Sequence, residues 1–266
     1  MSDVKNIYRL TYETLKDNSL LSEAEFNEQI ECWRNYPNKF QNNDDFFELL
    51  IEITFYSGFR SKVVSEKLNE IKKSLGNYQK VKDCTFEDVE IFLKKGGIIA
   101  NASKVCLTIL NARKFDEIIN KFGSFKKYLQ SFNFNGTKGV WNEDIERLYE
   151  DIKRRFYYLG EVTTYHFLMD IGAFCIKPDR QIIALLKNLG KVEGNERGLN
   201  QKVIDIGREM AEETGEEIRV VDIVLVTMRQ GDALGFESHP PVCPNQCDNK
   251  CKLYGKYCSG DKATRR

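Results

Sequence analysis

At 266 residues the chain is long enough to bury a substantial core, as one large domain or two smaller ones. Its 41% hydrophobic and 30% charged residues exclude wholesale disorder, and a net charge of zero gives no support to a strongly basic nucleic-acid binder. No apolar run approaches the ~20 residues of a membrane span and the opening MSDVKNIYRL lacks the apolar centre of a secretion signal, so a cytoplasmic protein is expected.

Helical signals follow one another with almost no strand pattern between them. Ser22 and Glu25 form a capping box before an acidic helix ending near Tyr36-Pro37. DDFFELLIEITFYSG, 44–58, is apolar on nearly every side and stops at Gly58, which predicts a buried central helix. SKVVSEKLNEIKKSLG, 61–76, is amphipathic and ends at its own glycine. Thr85 and Asp88 cap a short helix that ends at Gly96-Gly97. Further helices are predicted at about 99–120, 124–131, 141–156, 161–172, 179–190, 199–214 and 216–230. With short loops and no internal repeat, these signals predict an all-α fold of roughly ten helices.

The segment after Gly231 differs in kind, lacking periodicity and too short and polar to form a core of its own. It holds Cys243, Cys247, Cys251 and Cys258, spaced C-x3-C-x3-C-x6-C, a clustering that in a cytosolic chain argues for metal rather than disulfides. Four thiolates suit a [4Fe–4S] cluster or structural zinc, although zinc sites usually pair cysteines as C-x2-C. Such a site would cross-link the tail and pin a basic loop, Lys250, Lys252 and Lys256, where DNA backbone can meet it. Cys32, Cys84, Cys106 and Cys175 are scattered among apolar or helical stretches and read as small buried hydrophobes.

The chemistry concentrates in FYYLGEVTTYHFLMDIGAFCIKPDRQI, Phe156 to Ile182. Lys153-Arg154-Arg155 ends one helix, Phe156–Gly160 makes a tight turn and a second helix starts near Glu161. A helix–hairpin–helix of this kind points the second helix's first amides outward, where they bind phosphate. Thr163 and Thr164 would add hydroxyl donors, and the three bases would favour a nearby backbone, while Glu161 would repel one. The same pattern also describes an ordinary turn between two helices. Asp179, nineteen residues after Gly160, reads locally as the N-cap of the next helix. His166 and His239, the only histidines, lie too far apart in sequence to suggest a catalytic dyad.

In order and spacing these stretches resemble the helix–hairpin–helix DNA glycosylases, the superfamily of endonuclease III. FYYLG occupies the place of that family's LPGVG hairpin, and Asp179 falls where its essential Asp enters the next helix. FELLIEITFYSG, 47–58, and GGIIANASKVCLTIL, 96–110, resemble the family's first barrel helix and a later helix. Phe47 to Phe132 and the hairpin are also similar to 3-methyladenine DNA glycosylase I. The resemblance implies a six-helix-barrel-like lobe over 43–173 that ends in the hairpin. It also implies a second helical lobe from 1–42 and 174–236 carrying the catalytic Asp, and a cluster loop with basic tail over 237–266. In that family the tail holds a [4Fe–4S] cluster, with a different cysteine spacing, so the cluster is favoured here over zinc.

The resemblance further implies that Tyr158, Leu159, Gly160, Val162, Thr163 and Thr164 contact DNA, and that Asp179 is the catalytic carboxylate. Bifunctional members carry a Schiff-base lysine where this chain has Val162, so base removal without strand cleavage is implied. Methyladenine glycosylase I has no Asp equivalent to Asp179 and usually holds a Glu where this chain has Ile53, with Glu52 facing about 100° away on the helix. The resemblance thus implies a methyladenine-type barrel combined with an endonuclease III-type Asp. Tyr56, Phe59 and Arg60, at the turn after the buried helix, are candidates for a base pocket or wedge. The expectation is a monomeric, monofunctional glycosylase acting on double-stranded DNA with a damaged base, favoured as an alkylated purine, in the cytoplasm or nucleoid. A mismatched thymine or uracil, an endonuclease III-like substrate, a non-catalytic DNA-binding module and a helical metalloprotein are the alternatives.

Overall fold

A computed structural model of the chain describes residues 3–136, 141–193, 197–233, 236, 238–243 and 250–258. Helices run through it as α1 Asp3–Asn18, α2 Glu23–Arg34, α3 Asn43–Tyr56, α4 Ser61–Leu75, α5 Tyr78–Val81, α6 Phe86–Lys95 and α7 Ala102–Phe122. They continue as α8 Phe125–Gln130, α9 Glu143–Arg155, α10 Glu161–Asp170, α11 Arg180–Asn188, α12 Leu199–Thr214 and α13 Ile218–Gln230. Among the described residues, extended pairing amounts to the isolated bridges Ala233–Phe236 and Tyr254–Cys258. The fold is all-α, as expected. Among the described residues the helices beyond those expected are α1, an amphipathic helix that buries Val4, Ile7, Tyr8 and Leu15, and α5, a single turn. Most helix starts are set by local chemistry. Ser22–Glu25 and Asn42–Asp45 close capping boxes, and Asn101, Ser124, Asn142 and Asp179 accept the first backbone amides of their helices.

The chain divides into two compact units, one of residues 37–173 and one of 1–36 with 174–266. In the first unit α3 is the central helix, with eight of its residues buried between Phe46 and Phe55. Its apolar surface meets an aromatic core in which Phe115 and Phe125 stack at 4.8 Å, with Tyr78 edge-on to Phe115 and Phe47 edge-on to Tyr78. In the second unit α13 has the same part, buried at every position from Ile218 to Met228 and packed by α1, α2, α11 and α12. A helix buried on nearly every side is stable only when surrounded, which fixes both as core elements.

The isolated cysteines depart from expectation. Cys175 is buried, but Cys84 and Cys106 are half-buried and Cys32 is exposed. On α2 the buried stripe is Phe26, Ile30 and Trp33, and Cys32 lies about 100° away from it.

Candidate active site and nucleic-acid interface

Within the first unit, Arg155 ends α9 and Gly160 is the N-cap of α10, leaving a turn of four residues. Phe156 and Leu159 bury their side chains, which anchors both ends of the turn and leaves Leu159 only its backbone to offer a ligand. The first bond within α10 is from Thr164 N–H to Gly160 C=O, so the amides of Val162 and Thr163 point out of the helix's N-terminal end. Gly160 has φ −80°, open to any residue, and a Cβ there would meet only Thr163 Oγ1 at 4.0 Å. Nothing within the chain requires glycine at this position, whereas a ligand approaching those amides closely would.

Two expectations for the hairpin need correction. The hydroxyls of Thr163 and Thr164 turn inward, donating to Tyr158 C=O at 2.7 Å and to Gly160 C=O at 2.7 Å. Thr164 is fully buried and so contributes to the turn rather than to a phosphate contact. The three bases before the turn are each met by an acid one helical turn back: Lys153 by Glu150, and Arg154 and Arg155 by Asp151. Their attraction for a polyanion is reduced accordingly. A surface cavity of about 280 Å³ lies beside them, lined by Lys114, Arg154, Arg155, Phe156 and Tyr157.

Tyr158, standing where the resembling hairpins have glycine, takes the left-handed conformation with φ +64°. A side chain there costs roughly 1–2 kcal/mol, so something must hold it. Its ring lies 4.5 Å from the ammonium of Lys104, and its hydroxyl 3.4 Å from Ser103 Oγ. Lys104 is 3% exposed. Its ammonium donates to Ser57 C=O at 2.6 Å and to Thr54 C=O, and Phe59 lies 5.2 Å away on another side. The lysine thus caps the C-terminal end of α3 and joins it to the hairpin. Burial pulls its pKa down to about 8.

Asn111 performs a second clamp. Its side-chain carbonyl accepts Tyr157 N–H at 2.8 Å and its amide donates to Tyr157 C=O at 3.0 Å. Neither Lys104 nor Asn111 stands out as a site residue in the sequence. The available signal is their spacing, since Lys104, Thr108, Asn111 and Phe115 recur at helical intervals on the buried face of α7. A polar residue on such a stripe needs a partner.

The wedge candidates divide. Tyr56 is half-buried, its hydroxyl 2.9 Å from Ser65 Oγ, and Phe59 packs on Lys104; Arg60 is exposed at the start of α4. Ile53 is buried, and the neighbouring Glu52 pairs with Lys72 of α4 at 3.0 Å.

Asp179 lies in the second unit, at the start of α11. Its Oδ1 accepts Gln181 N–H at 2.8 Å and Ile182 N–H at 3.0 Å, and its Oδ2 lies 3.2 Å from the ammonium of Lys177. The strand of chain leading to it is held firmly. Arg208 Nε donates to Phe174 C=O at 2.7 Å, and Ile176 is fully buried against Gly207, where a Cβ would fall 2.5 Å from Ile176 Cδ1. A carboxylate fixed in this way offers a stationary negative charge, suited to stabilising positive charge developing beside it. Of the histidines, His166 is buried and pairs with Asp170 at 3.3 Å, and His239 is buried against Phe236.

In the tail, Cys247 lies outside the described residues. Cys243 is buried, and its sulfur accepts from Asn188 Nδ2 at 3.8 Å and Arg229 Nη1 at 3.9 Å, as sulfurs of thiolate sites do. Burial pushes the Cys251 thiol up to about 11, and the charges of Cys258 and Cys243 add to the rise. The Cys251 thiolate is thus disfavoured by burial and by the neighbouring sulfurs of Cys258 and Cys243, and a bound cation would relieve that penalty. Among the described residues no set of three or more His, Cys, Asp or Glu side chains is arranged to hold a metal ion. Lys252 does not stand ready for DNA, because Asp17 at 2.7 Å and Glu13 at 3.3 Å, both of α1, pair with it.

The family model described as methyladenine glycosylase matches residues 31–177, more than half of the chain. Among solved structures, the chain is similar to the 8-oxoguanine glycosylase/lyase of Methanocaldococcus jannaschii, in complex with a 15mer DNA containing 8-oxoguanine. That match has 20% identity, covers 86% of this chain and 99% of the other, and has a TM-score of 0.59. It is also similar to the 8-oxoguanine DNA glycosylase of Thermotoga maritima, at 14% identity over 89% of this chain and 100% of the other, with a TM-score of 0.58. At these identities the two structures establish a shared fold.

Proposed function

The chain belongs to the methyladenine glycosylase family and is a DNA glycosylase of base excision repair, and from that premise we propose that it hydrolyses the N-glycosidic bond of an alkylated purine, with Asp179 as the catalytic carboxylate. The observation that carries this reading is the pairing of two features. One is the hairpin, with amides open at Gly160 and no internal need for glycine there. The other is a single fixed carboxylate nineteen residues later.

The chemistry follows from charge. Breaking an N-glycosidic bond leaves positive charge on the sugar, as in glycoside hydrolysis, and an anion beneath the ring stabilises it. An alkylated purine is already cationic, so it leaves without a general acid, and one carboxylate suffices. Asp179 accepts hydrogen bonds at Oδ1 from the first amides of α11, which tethers that oxygen as the sugar changes shape. Water then completes the exchange, oriented by the same carboxylate. The amides of Val162 and Thr163 hold a backbone phosphate, and the target base leaves the stack before reaction. Val162 offers no amine where bifunctional relatives carry their lysine, so the strand stays intact. Cys243, Cys251 and Cys258, with Cys247, would hold a [4Fe–4S] cluster. When bound, the cluster supplies cross-links that the tail's own sequence lacks.

A panel of duplexes tests this reading. Methylated DNA is expected to release free 3-methyladenine or 7-methylguanine and to leave alkali-labile but uncleaved strands. 8-Oxoguanine is the competing substrate to include, because the solved relatives of matching fold act on it. Release of 8-oxoguanine alone would move the substrate class, and strand cleavage without alkali would refute the monofunctional reading.

A further inference from the structure

Three buried or half-buried charges behind Asp179, those of Lys177, Asp222 and Arg219, have no part in the reaction as described. Lys177 reaches in two directions. Its backbone N–H donates to Asp222 Oδ1 at 2.9 Å, and its ammonium lies 3.2 Å from Asp179 Oδ2. Asp222 is fully buried in the middle of α13 and takes a second partner, Arg219 Nη1, at 3.0 Å. The Arg219 guanidinium is itself held over the rings of Trp33 at 4.3 Å and Tyr36 at 5.4 Å. The result is a chain of contacts running from the core of the unit to the candidate carboxylate: the Arg219 guanidinium holds Asp222, Asp222 holds the backbone of Lys177, and the Lys177 ammonium meets Asp179.

The chemistry of that chain is specific. Capping α11 needs only Oδ1 of Asp179, because both backbone donors converge on that one oxygen. A cap alone leaves the carboxylate free to rock about this oxygen, carrying Oδ2 through an arc. The Lys177 ammonium closes that arc. Placing the ammonium, in turn, requires the main chain at 177 to be fixed, and the Asp222 carboxylate does so from a position no solvent reaches. A buried carboxylate is costly, and burial does push Asp222 up, with Arg219 and Lys177 pulling it back and the Asp179 charge adding to the rise. An apolar residue would fill the middle of α13 at lower cost, so the charge has a use beyond packing.

We propose that Lys177 is a positioning residue that sets the plane of the Asp179 carboxylate, and that Asp222, held by Arg219, is the anchor that sets Lys177. The inference rests on Asp179 being the catalytic carboxylate and extends that reading to its support. Lys177 acts through Asp179 and touches no reacting atom. An oxygen displaced by about 1 Å from the developing charge costs up to about a hundredfold in rate.

The test is single-turnover base release from methylated duplex DNA, with an 8-oxoguanine duplex run alongside, by the full-length protein. Lys177→Met is expected to slow release about tenfold to a hundredfold while duplex affinity stays within about threefold of wild type. Lys177→Arg, which restores a cation, is expected to recover most of the rate. Asp222→Asn keeps an acceptor for the Lys177 amide and is expected to fall between them; Lys177→Gln replaces the methionine variant if that variant does not fold. Asp179→Asn is the control. If it retains the wild-type rate, the reading of Asp179 fails and the inference falls with it. If it is inactive while Lys177→Met and Lys177→Gln run at wild-type rate, the inference alone is overturned. A Lys177→Met defect that lies wholly in duplex affinity also overturns it, since that marks a phosphate contact.

Discussion

Asp179 has two possible occupations, helix cap and catalyst, and one substitution separates them. Asparagine at an N-cap is about as good as aspartate, since its side-chain carbonyl still accepts from Gln181 N–H and Ile182 N–H. Asp179→Asn therefore forfeits only the partly buried ion pair with Lys177 and the attraction of a carboxylate for the helix N-terminus. Together these cost about 1 kcal/mol, or a fall in Tm of about 2–4 °C. Asp179→Ala also loses the cap and should cost about 1 kcal/mol more. Catalysis should respond differently. Removing a preorganised charge from a developing cation is worth about 3–4 kcal/mol, a loss of a hundredfold to a thousandfold in base release. Thermal unfolding, duplex binding by fluorescence anisotropy and single-turnover release of free base, measured on all three proteins, resolve the question. Both variants should be equally inactive, unequal in stability and unchanged in duplex affinity. If Asp179→Asn keeps its rate and Asp179→Ala loses rate only in proportion to folded protein, Asp179 is a cap and the catalytic assignment is wrong.

The hairpin supplies two further predictions. Tyr158→Ala keeps the left-handed strain and uncovers Lys104, so it should destabilise by about 1–2 kcal/mol, whereas Tyr158→Gly relieves the strain and should be close to neutral by denaturant unfolding. Asn111→Ala removes both bonds to Tyr157 and should cost about 2 kcal/mol and weaken duplex binding several-fold; unchanged affinity would show that the hairpin does not need the clamp. His239 predicts a pH dependence. Burial lowers its pKa to about 4 from 6.5, so the folded state binds its proton less readily than the unfolded chain. The associated stability is fully present above pH 6.5 and is lost as pH falls towards 4, by about 2 kcal/mol at pH 5. His239→Leu should remove that part of the slope in urea titrations at pH 7.5 and 5, and an identical slope in the two proteins would refute the assignment. For the tail, the purified protein should be brown with broad visible absorption and lose both colour and stability on oxidative or chelating removal of iron. A colourless protein that binds zinc would replace the cluster.

Much of the fold was legible because helix boundaries are local events. Ser22 with Glu25, Asn142, Asp179 and the glycine after α7 act on residues two to four positions away, and their spacing states where a helix begins or ends. The absence of a lysine at Val162 is likewise a fact of sequence, as is the count of thiols in the tail. What surrounds these residues was not legible, because it depends on partners brought close only by packing. Lys104 meets Thr54 and Ser57 from about fifty positions away, Asn111 meets Tyr157 across 46, and Lys177 meets Asp222 across 45. Thr164 looked like a phosphate donor and turned to the carbonyl of Gly160, and Lys252 looked like a DNA contact and found the acids of α1. The sequence by itself determined which groups are present and where the helices with local caps start. The tertiary structure decided which of those groups spend their hydrogen bonds and charges inside the chain and which keep them for a ligand.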